Sequence, residues 1–296
     1  MPAHGVVESQ ARMKRLRSLL FVPGDRPERM EKAMGLGADA LILDLEDSVA
    51  VAAKPQARRE VHEFLRKAAG AGPQLFVRIN PLSGGLAEDD IAAIAGTRPD
   101  GVVLPKAEGG RSVSVLDTKL ATAGLEGVAI LPIATETAAA MFTLGTYGGC
   151  SDRLCGLTWG AEDLPAAIGA ATSRDENGAY TAPMQLARSL TLFGAHAAGV
   201  AAIETVYPAF RDLEGLSAYA KRGRIDGFTG MMAIHPSQVA PINAAFTPSD
   251  AEIAHAAAVV AIFAANPGAG VLSLDGKMID LPHLNAARRI LAMRDS

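Results

Sequence analysis

Eight short apolar runs constrain this 296-residue chain more than any other feature. They are RSLLFVP (17–23), ALILDLED (40–47), QLFVRIN (74–80), GVVLPKAE (101–108), VAILPIATE (128–136), RLCGLTWGAED (153–163), VAAIETVY (200–207) and GFTGMMAIH (227–235). A strand buried on both faces reads as a near-continuous apolar run, as strands of parallel sheets do. Helical periodicity fills the intervals. In Lys54–Ala69, for example, Val61, Phe64, Leu65 and Ala68 share one side. Strand and helix alternating eight times predict an α/β fold, specifically a (β/α)8 TIM barrel. The alternative, a doubly wound sheet, calls for a glycine-rich nucleotide loop after an early strand, and VPGDRP after the first run does not supply one. An alanine-rich helix is expected after the fifth strand, and the sixth strand is expected to reach Asp163.

The last fifty residues break the repeat. They read as a helix over Pro248–Ala265 with Ser249 or Thr247 as N-cap, a Gly/Pro hinge at 266–270, the segment VLSLDGKMIDLP, and a helix over 282–294. The expected organisation is a barrel catalytic domain at 1–246 and C-terminal helices with a lid segment at 247–296. Such an appendage serves as a lid or an oligomer contact.

Charge and composition exclude several classes. A net charge of −4 gives no basic surface for nucleic acid. No apolar run reaches the roughly 18 residues of a membrane span, and the N-terminal MPAHGVVESQARMKR lacks a signal-peptide core. A cytoplasmic enzyme without a membrane partner is the expectation. Cys150 and Cys155 supply neither a disulfide framework nor metal-ligand spacing.

The charges that remain stand at strand ends, where a barrel gathers them into one pocket. Acids there are costly to bury unless paired or holding a cation. Glu136 and Asp163 therefore either cap the following helix or hold a metal, and Glu162 beside Asp163 points away if the strand alternation continues. Arg78, on an otherwise apolar strand, is either an ion-pair partner of Asp44 or Glu46 or a group that steadies developing negative charge. Period two puts Asp44 and Glu46 on one face and Asp47 on the other. Asp44 and Glu46 then orient Arg78, with Glu46 also a candidate for direct catalysis. Lys106 is a Schiff-base candidate or a plain counter-charge to Glu108 or a phosphate. His235 ends the eighth strand, as a structural group or a pocket wall.

Taken in order, RSLLFVPG, DLEDSV, VRIN, LPKAE, TET, GAEDL, IHPSQ and LDGKMID resemble the citrate lyase beta-subunit-like family. That family sits in the aldolase/citrate lyase superfamily with malyl-CoA and citramalyl-CoA lyases. The resemblance runs from about residue 17 to 294. It implies a barrel that binds Mg2+ and cleaves a carbon–carbon bond in a short 3-hydroxyacyl-CoA thioester, giving an acyl-CoA and a keto acid through an enolate. It implies a homo-oligomer, trimer or hexamer, with active sites shared between subunits. The metal carboxylates fall on Glu136 and Asp163. Arg78 becomes catalytic and substrate-binding, with Asp44 and Glu46 beside it. Asp280 becomes a catalytic acid delivered to a neighbouring subunit, with Gly276 and Lys277 in a tight turn and Met278 and Ile279 packed on that neighbour. Arg26 is placed to meet a CoA phosphate, and His235 to line the thioester pocket. One departure stands out: relatives carry aspartate before Thr-Val-Tyr, where this chain has Glu204. Two other activities fit the resemblance, a citrate lyase beta subunit acting on an acyl carrier protein within a multi-subunit complex, and a non-catalytic binding barrel.

Overall fold

The computed structural model describes residues 15–68, 70 and 72–294. The chain divides into two compact units, one running from Leu16 to Asn243, the other comprising Arg15 and the chain from Ala244 on. In the first unit eight parallel strands form one sheet: β1 (Ser18–Pro23), β2 (Ala40–Asp44), β3 (Gln74–Arg78), β4 (Gly101–Leu104), β5 (Ala129–Pro132), β6 (Gly156–Thr158), β7 (Ala201–Glu204) and β8 (Gly230–Ala233). The order is β5-β4-β3-β2-β1-β8-β7-β6. Parallel bridges Ile130↔Leu154 and Ile133↔Thr158 join β5 to β6, so the sheet closes into the expected barrel. Leu19, Leu41, Ile42, Phe76, Val77 and Val102 have no accessible surface, which is why these strands read as unbroken apolar runs.

The helices of this unit are α1 (Pro27–Ala33), α2 (Lys54–Ala68), α3 (Ala87–Ile94), α4 (Gly110–Thr122), α5 (Asp163–Ile168), α6 (Ala182–Ala198), α7 (Leu213–Asp226) and α8 (Val239–Ala245, the last two residues belonging to the second unit). Two expectations need correction. The segment after β5 is not an alanine-rich helix but two short 3-10 turns, Ala139–Phe142 and Leu144–Thr146; β-branched Thr143 and Thr146 and glycines 145, 148 and 149 disfavour a continuous helix there. The sixth strand stops at Thr158, and Asp163 opens a helix instead of ending a strand.

The second unit holds α9 (Asp250–Ala265), a hairpin of β9 (Val271–Leu274) and β10 (Lys277–Asp280), and α10 (Leu281–Arg294). Ser249 caps α9 in a reciprocal box with Glu252. The hairpin turns on Asp275 (φ 51°) and Gly276 (φ 75°), the two positive φ values a two-residue type I′ turn requires. The turn therefore lies one residue earlier than Gly276–Lys277. Ile279 is buried in this unit's own core with Val259, Phe263 and Leu284, while Met278 is exposed. That corrects the expectation that Ile279 packs on a neighbour. The stretch Pro236–Ala265 has the length and hydropathy of a membrane span, contrary to the sequence reading. It is broken, however, at Phe246–Ser249, where a capped helix starts afresh.

Candidate active site

Because all eight strands point the same way, their C-terminal ends meet on one end of the barrel, and register decides which charges touch. Asp44 on β2 is the ladder partner of Arg78 on β3, so the two side chains are nearest neighbours on one face. Arg78 Nε and Nη2 donate to Asp44 Oδ1 and Oδ2 at 2.7 and 2.6 Å. Its Nη1 lies 2.9 Å from Glu46 Oε2. Asp44 also accepts the backbone N–H groups of Glu46 and Ser48. Burial opposes its charge, yet Arg78 and these N–H donors hold the carboxyl below its ordinary value. Close approach of β1 and β2 depends on Gly24, where a Cβ would stand 2.6 Å from the Asp44 carbonyl oxygen. Supporting groups that sequence reasoning missed lie underneath. Lys54 Nζ donates to the carbonyls of Leu45 and Glu46 at 2.8 and 2.9 Å, and Asn80 Nδ2 to Leu45 at 3.0 Å. The asparagine that closes VRIN was the available signal.

Lys106 follows β4 with a left-handed backbone, φ 50°, a conformation that costs a non-glycine residue on the order of 1–3 kcal/mol. That conformation lets both of its nitrogens serve the site. The backbone N–H donates to Glu136 Oε2 at 2.6 Å. The ammonium donates to Glu46 Oε1 at 2.9 Å and stands 3.3 Å from Asp163 Oδ1. Burial works against the ammonium, but Glu46, Glu136 and Asp163 together raise its pKa far above the ordinary value. A Schiff-base lysine needs a neutral amine, so Lys106 is a counter-charge, and its partners are Glu46 and Asp163. Glu108 instead accepts the hydroxyl of Thr137.

Glu136 is 4% exposed. Its Cγ sits where a Cβ on residue 160 would be, 2.5 Å away, so glycine is required at Gly160. Burial, then the neighbouring charges of Asp163 and Glu46, push its carboxyl up to about 8. Burial likewise raises Glu46. Asp163, at the start of α5, is half-buried, and Glu162 just before it is exposed. Arg78, Asp44, Glu136, Glu162 and Asp163 all border one cavity of about 320 Å3 with Phe21, Trp159 and Thr205. Glu46 is not among its lining residues.

Charge decides what such a cavity accepts. Six carboxyl groups, Asp44, Glu46, Asp47, Glu136, Glu162 and Asp163, stand in or beside this cavity against two cations, Arg78 and Lys106. A divalent cation offsets part of that excess. Among the described residues no cluster of three or more His, Cys, Asp or Glu forms a full cage. That suits Mg2+, which takes one or two protein carboxylates and leaves other positions to water and substrate oxygens. Glu136 and Asp163 fit such an ion.

The remaining expected residues are placed as follows. Arg26 precedes α1 with an exposed side chain whose acid neighbour is Asp25 at 3.7 Å, and it borders neither this cavity nor the next. A second cavity of about 360 Å3 carries Arg29, Lys32 and His235, so the basic groups at this rim come from α1. His235 stacks on Phe210 at 5.0 Å and caps the turn at Pro236–Gln238, which is a structural role; it borders the second cavity and not the one lined by Glu136 and Asp163. In the C-terminal unit, Asp280 and His283 cap the start of α10 for each other, with Nδ1 and Oδ1 2.5 Å apart. Glu204 is fully buried on β7, paired with Arg188 and Trp159.

Comparison with known proteins adds the following. The family described as HpcH/HpaI aldolase/citrate lyase matches residues 17–236. A (3S)-malyl-CoA thioesterase of Cereibacter sphaeroides is 36% identical over 288 residues, 95% of each chain. The mitochondrial citramalyl-CoA lyase of Rattus norvegicus is 33% identical over 300 residues, 95% of this chain and 86% of that one. A crystal structure of CitE from Mycobacterium tuberculosis, in complex with magnesium, acetoacetate and coenzyme A, superposes with a TM-score of 0.80 at 34% identity, covering 96% of this chain and 100% of the other.

Proposed function

The chain belongs to the HpcH/HpaI aldolase/citrate lyase family, and from that premise we propose a Mg2+-dependent carbon–carbon lyase that cleaves a short 3-hydroxyacyl-CoA thioester of the citramalyl-CoA or malyl-CoA type. The observation that carries this reading is the pair Glu136 and Asp163 on the wall of the 320 Å3 cavity, in a site whose carboxylates outnumber its cations. Magnesium in the CitE complex and the citramalyl-CoA lyase relative support it. When bound, the ion supplies Lewis-acid polarisation of the substrate's hydroxyl and carboxylate oxygens. The chain's own groups do the rest. Glu136, fixed by the Lys106 N–H, and Asp163 would hold the ion. Arg78 is locked by Asp44 and Glu46 with its fork on the cavity wall, where it steadies charge developing on the thioester oxygen as the acyl-CoA enolate forms. Preorganised donors of this kind are worth several kcal/mol in a dry site. Asp280, brought from a neighbouring copy in a homotrimer or hexamer, completes the site as its proton donor or base.

A second reading, thioester hydrolysis, is favoured by the malyl-CoA thioesterase relative. One assay separates them. Purified protein is incubated with Mg2+ and citramalyl-CoA or malyl-CoA, and both keto acid and free CoA thiol are measured. Keto acid without free thiol supports the lyase, and thiol without keto acid overturns it. Turnover of free CoA thioesters by the isolated chain also excludes dependence on an acyl carrier protein.

A further inference from the structure

Behind the cavity wall, a row of polar contacts reaches from one lining residue to the outer helices. Trp159 is the chain's single tryptophan. It is 1% exposed, borders the cavity, and immediately precedes the glycine over which Glu136 is folded. Its indole Nε1–H donates to Glu204 Oε1 at 2.5 Å, and the same oxygen accepts the N–H of Thr205, another lining residue, at 3.0 Å. The other oxygen, Oε2, accepts Arg188 Nε at 2.7 Å. Arg188 is held in turn by Asp226 at 2.7 Å. Tyr180 meets the indole edge-on, ring centres 5.0 Å apart. A buried Arg–Glu pair between α6 and β7 needs no tryptophan, and apolar residues of similar volume often pack as well. Here one carboxylate oxygen is spent on the support and the other on the cavity wall, which leaves the indole one orientation.

We infer that Trp159 is a specificity-determining wall of this cavity and that Glu204 is its positioning residue. Together they set the size of the substituent accepted in the part of the cavity that Glu136 and Asp163 line, and so discriminate glyoxylate from pyruvate as the keto-acid half of the substrate. The inference rests on the proposed function for its ligand class. A methyl group in an apolar pocket is typically worth tenfold or more in discrimination, and a wall free to rotate loses that ratio.

Glyoxylate and pyruvate, each with Mg2+, are titrated calorimetrically into wild type, Trp159→Phe, Glu204→Gln and the double variant. Trp159 emission is followed in the two proteins that keep it. The expected result is a ratio of the two Kd values shifted about fivefold or more in each single variant and no further in the double, because Glu204 acts through Trp159. Ligand-free Glu204→Gln should emit further to the red. A ratio within twofold of wild type in both single variants, or additive shifts in the double, overturns the wall while leaving the site reading intact. Binding of neither acid by wild type overturns both. If Glu204→Gln does not fold, Trp159→Phe decides through the same ratio.

Discussion

Glu136 should make the metal-free protein less stable as pH rises. An isolated glutamate titrates near 4.5, and in this fold burial first, then Asp163 and Glu46, raise the carboxyl to about 8. Between those values the folded chain keeps a proton that the unfolded chain has released. Stability therefore falls with rising pH across that window and levels off above about 8. Each pH unit is worth about 1.4 kcal/mol, so the full span comes to roughly 5 kcal/mol, a third or more of a typical domain's stability. Glu46 is raised in the same direction and steepens the fall. The assay is urea unfolding from pH 5 to 9 in the presence of a chelator, for wild type and Glu136→Gln. The variant should lose most of the slope, since its amide has no proton to release and the charge beside Glu46 is gone. Saturating Mg2+ should restore wild type at pH 8–9 and leave Glu136→Gln nearly unmoved, because a ligand stabilises only the state that binds it. Parallel curves for the two proteins would refute the burial argument.

Arg78→Lys keeps the charge but loses the fork that spans both Asp44 oxygens, so kcat should fall about a hundredfold; a value within threefold of wild type would leave Arg78 only its ion pair. Asp163→Asn, at a half-buried helix start, should change melting temperature little and abolish calorimetric Mg2+ binding; unchanged affinity would remove it from the metal site. Mixing Asp280→Ala chains with Asp163→Asn chains should recover part of the activity that each lacks, if sites are shared; no recovery despite subunit exchange demonstrated by mass spectrometry would confine Asp280 to its own chain.

Much of the barrel was legible because burial on both faces leaves a signal at every position of a strand. Leu41, Ile42 and Leu43 are apolar for that reason, and so are Phe76 and Val77. The Asp44–Arg78 pairing was legible as a possibility, since period two and strand order placed both at one end. Local backbone conformation was not legible. Nothing in LPKAE announces that Lys106 is left-handed, and that conformation is what turns its N–H toward Glu136 and its ammonium toward Glu46 and Asp163. The sixth strand was read too long because Gly160 and Ala161 carry no polarity to mark its end; an acid two residues before Pro165 is, however, what the first turn of a helix favours. In the tail, Asp275-Gly276 between two short alternating segments was a hairpin signal; the tight turn was expected there but placed one residue late, at Gly276 and Lys277.

Asp44, Glu46, Glu136 and Asp163 are not interchangeable, and the difference lies in what already satisfies them. Asp44 has both oxygens taken by the Arg78 fork and by two backbone N–H groups, which hold its carboxyl below the ordinary value. A group so held has no lone pair free to accept a proton without breaking the fork. Its contribution is to position Arg78, not to act as a base. Glu46 is pinned between Arg78 and Lys106 and, though raised by burial, touches two cations before it could touch a substrate. Glu136 differs. One oxygen is fixed by the Lys106 N–H, the carboxylate borders the cavity, and its charged form is the most costly of the four to keep without a counter-ion. Asp163 faces solvent on one side and Lys106 on the other. Glu136 and Asp163 are therefore the residues that would hold a divalent cation here, and Lys106 is the counter-charge that already stands beside Asp163. The pair of carboxylates proposed to bind metal and the pair that fixes the arginine are thus separated by hydrogen bonding, although all four acids stand at the same end of one barrel.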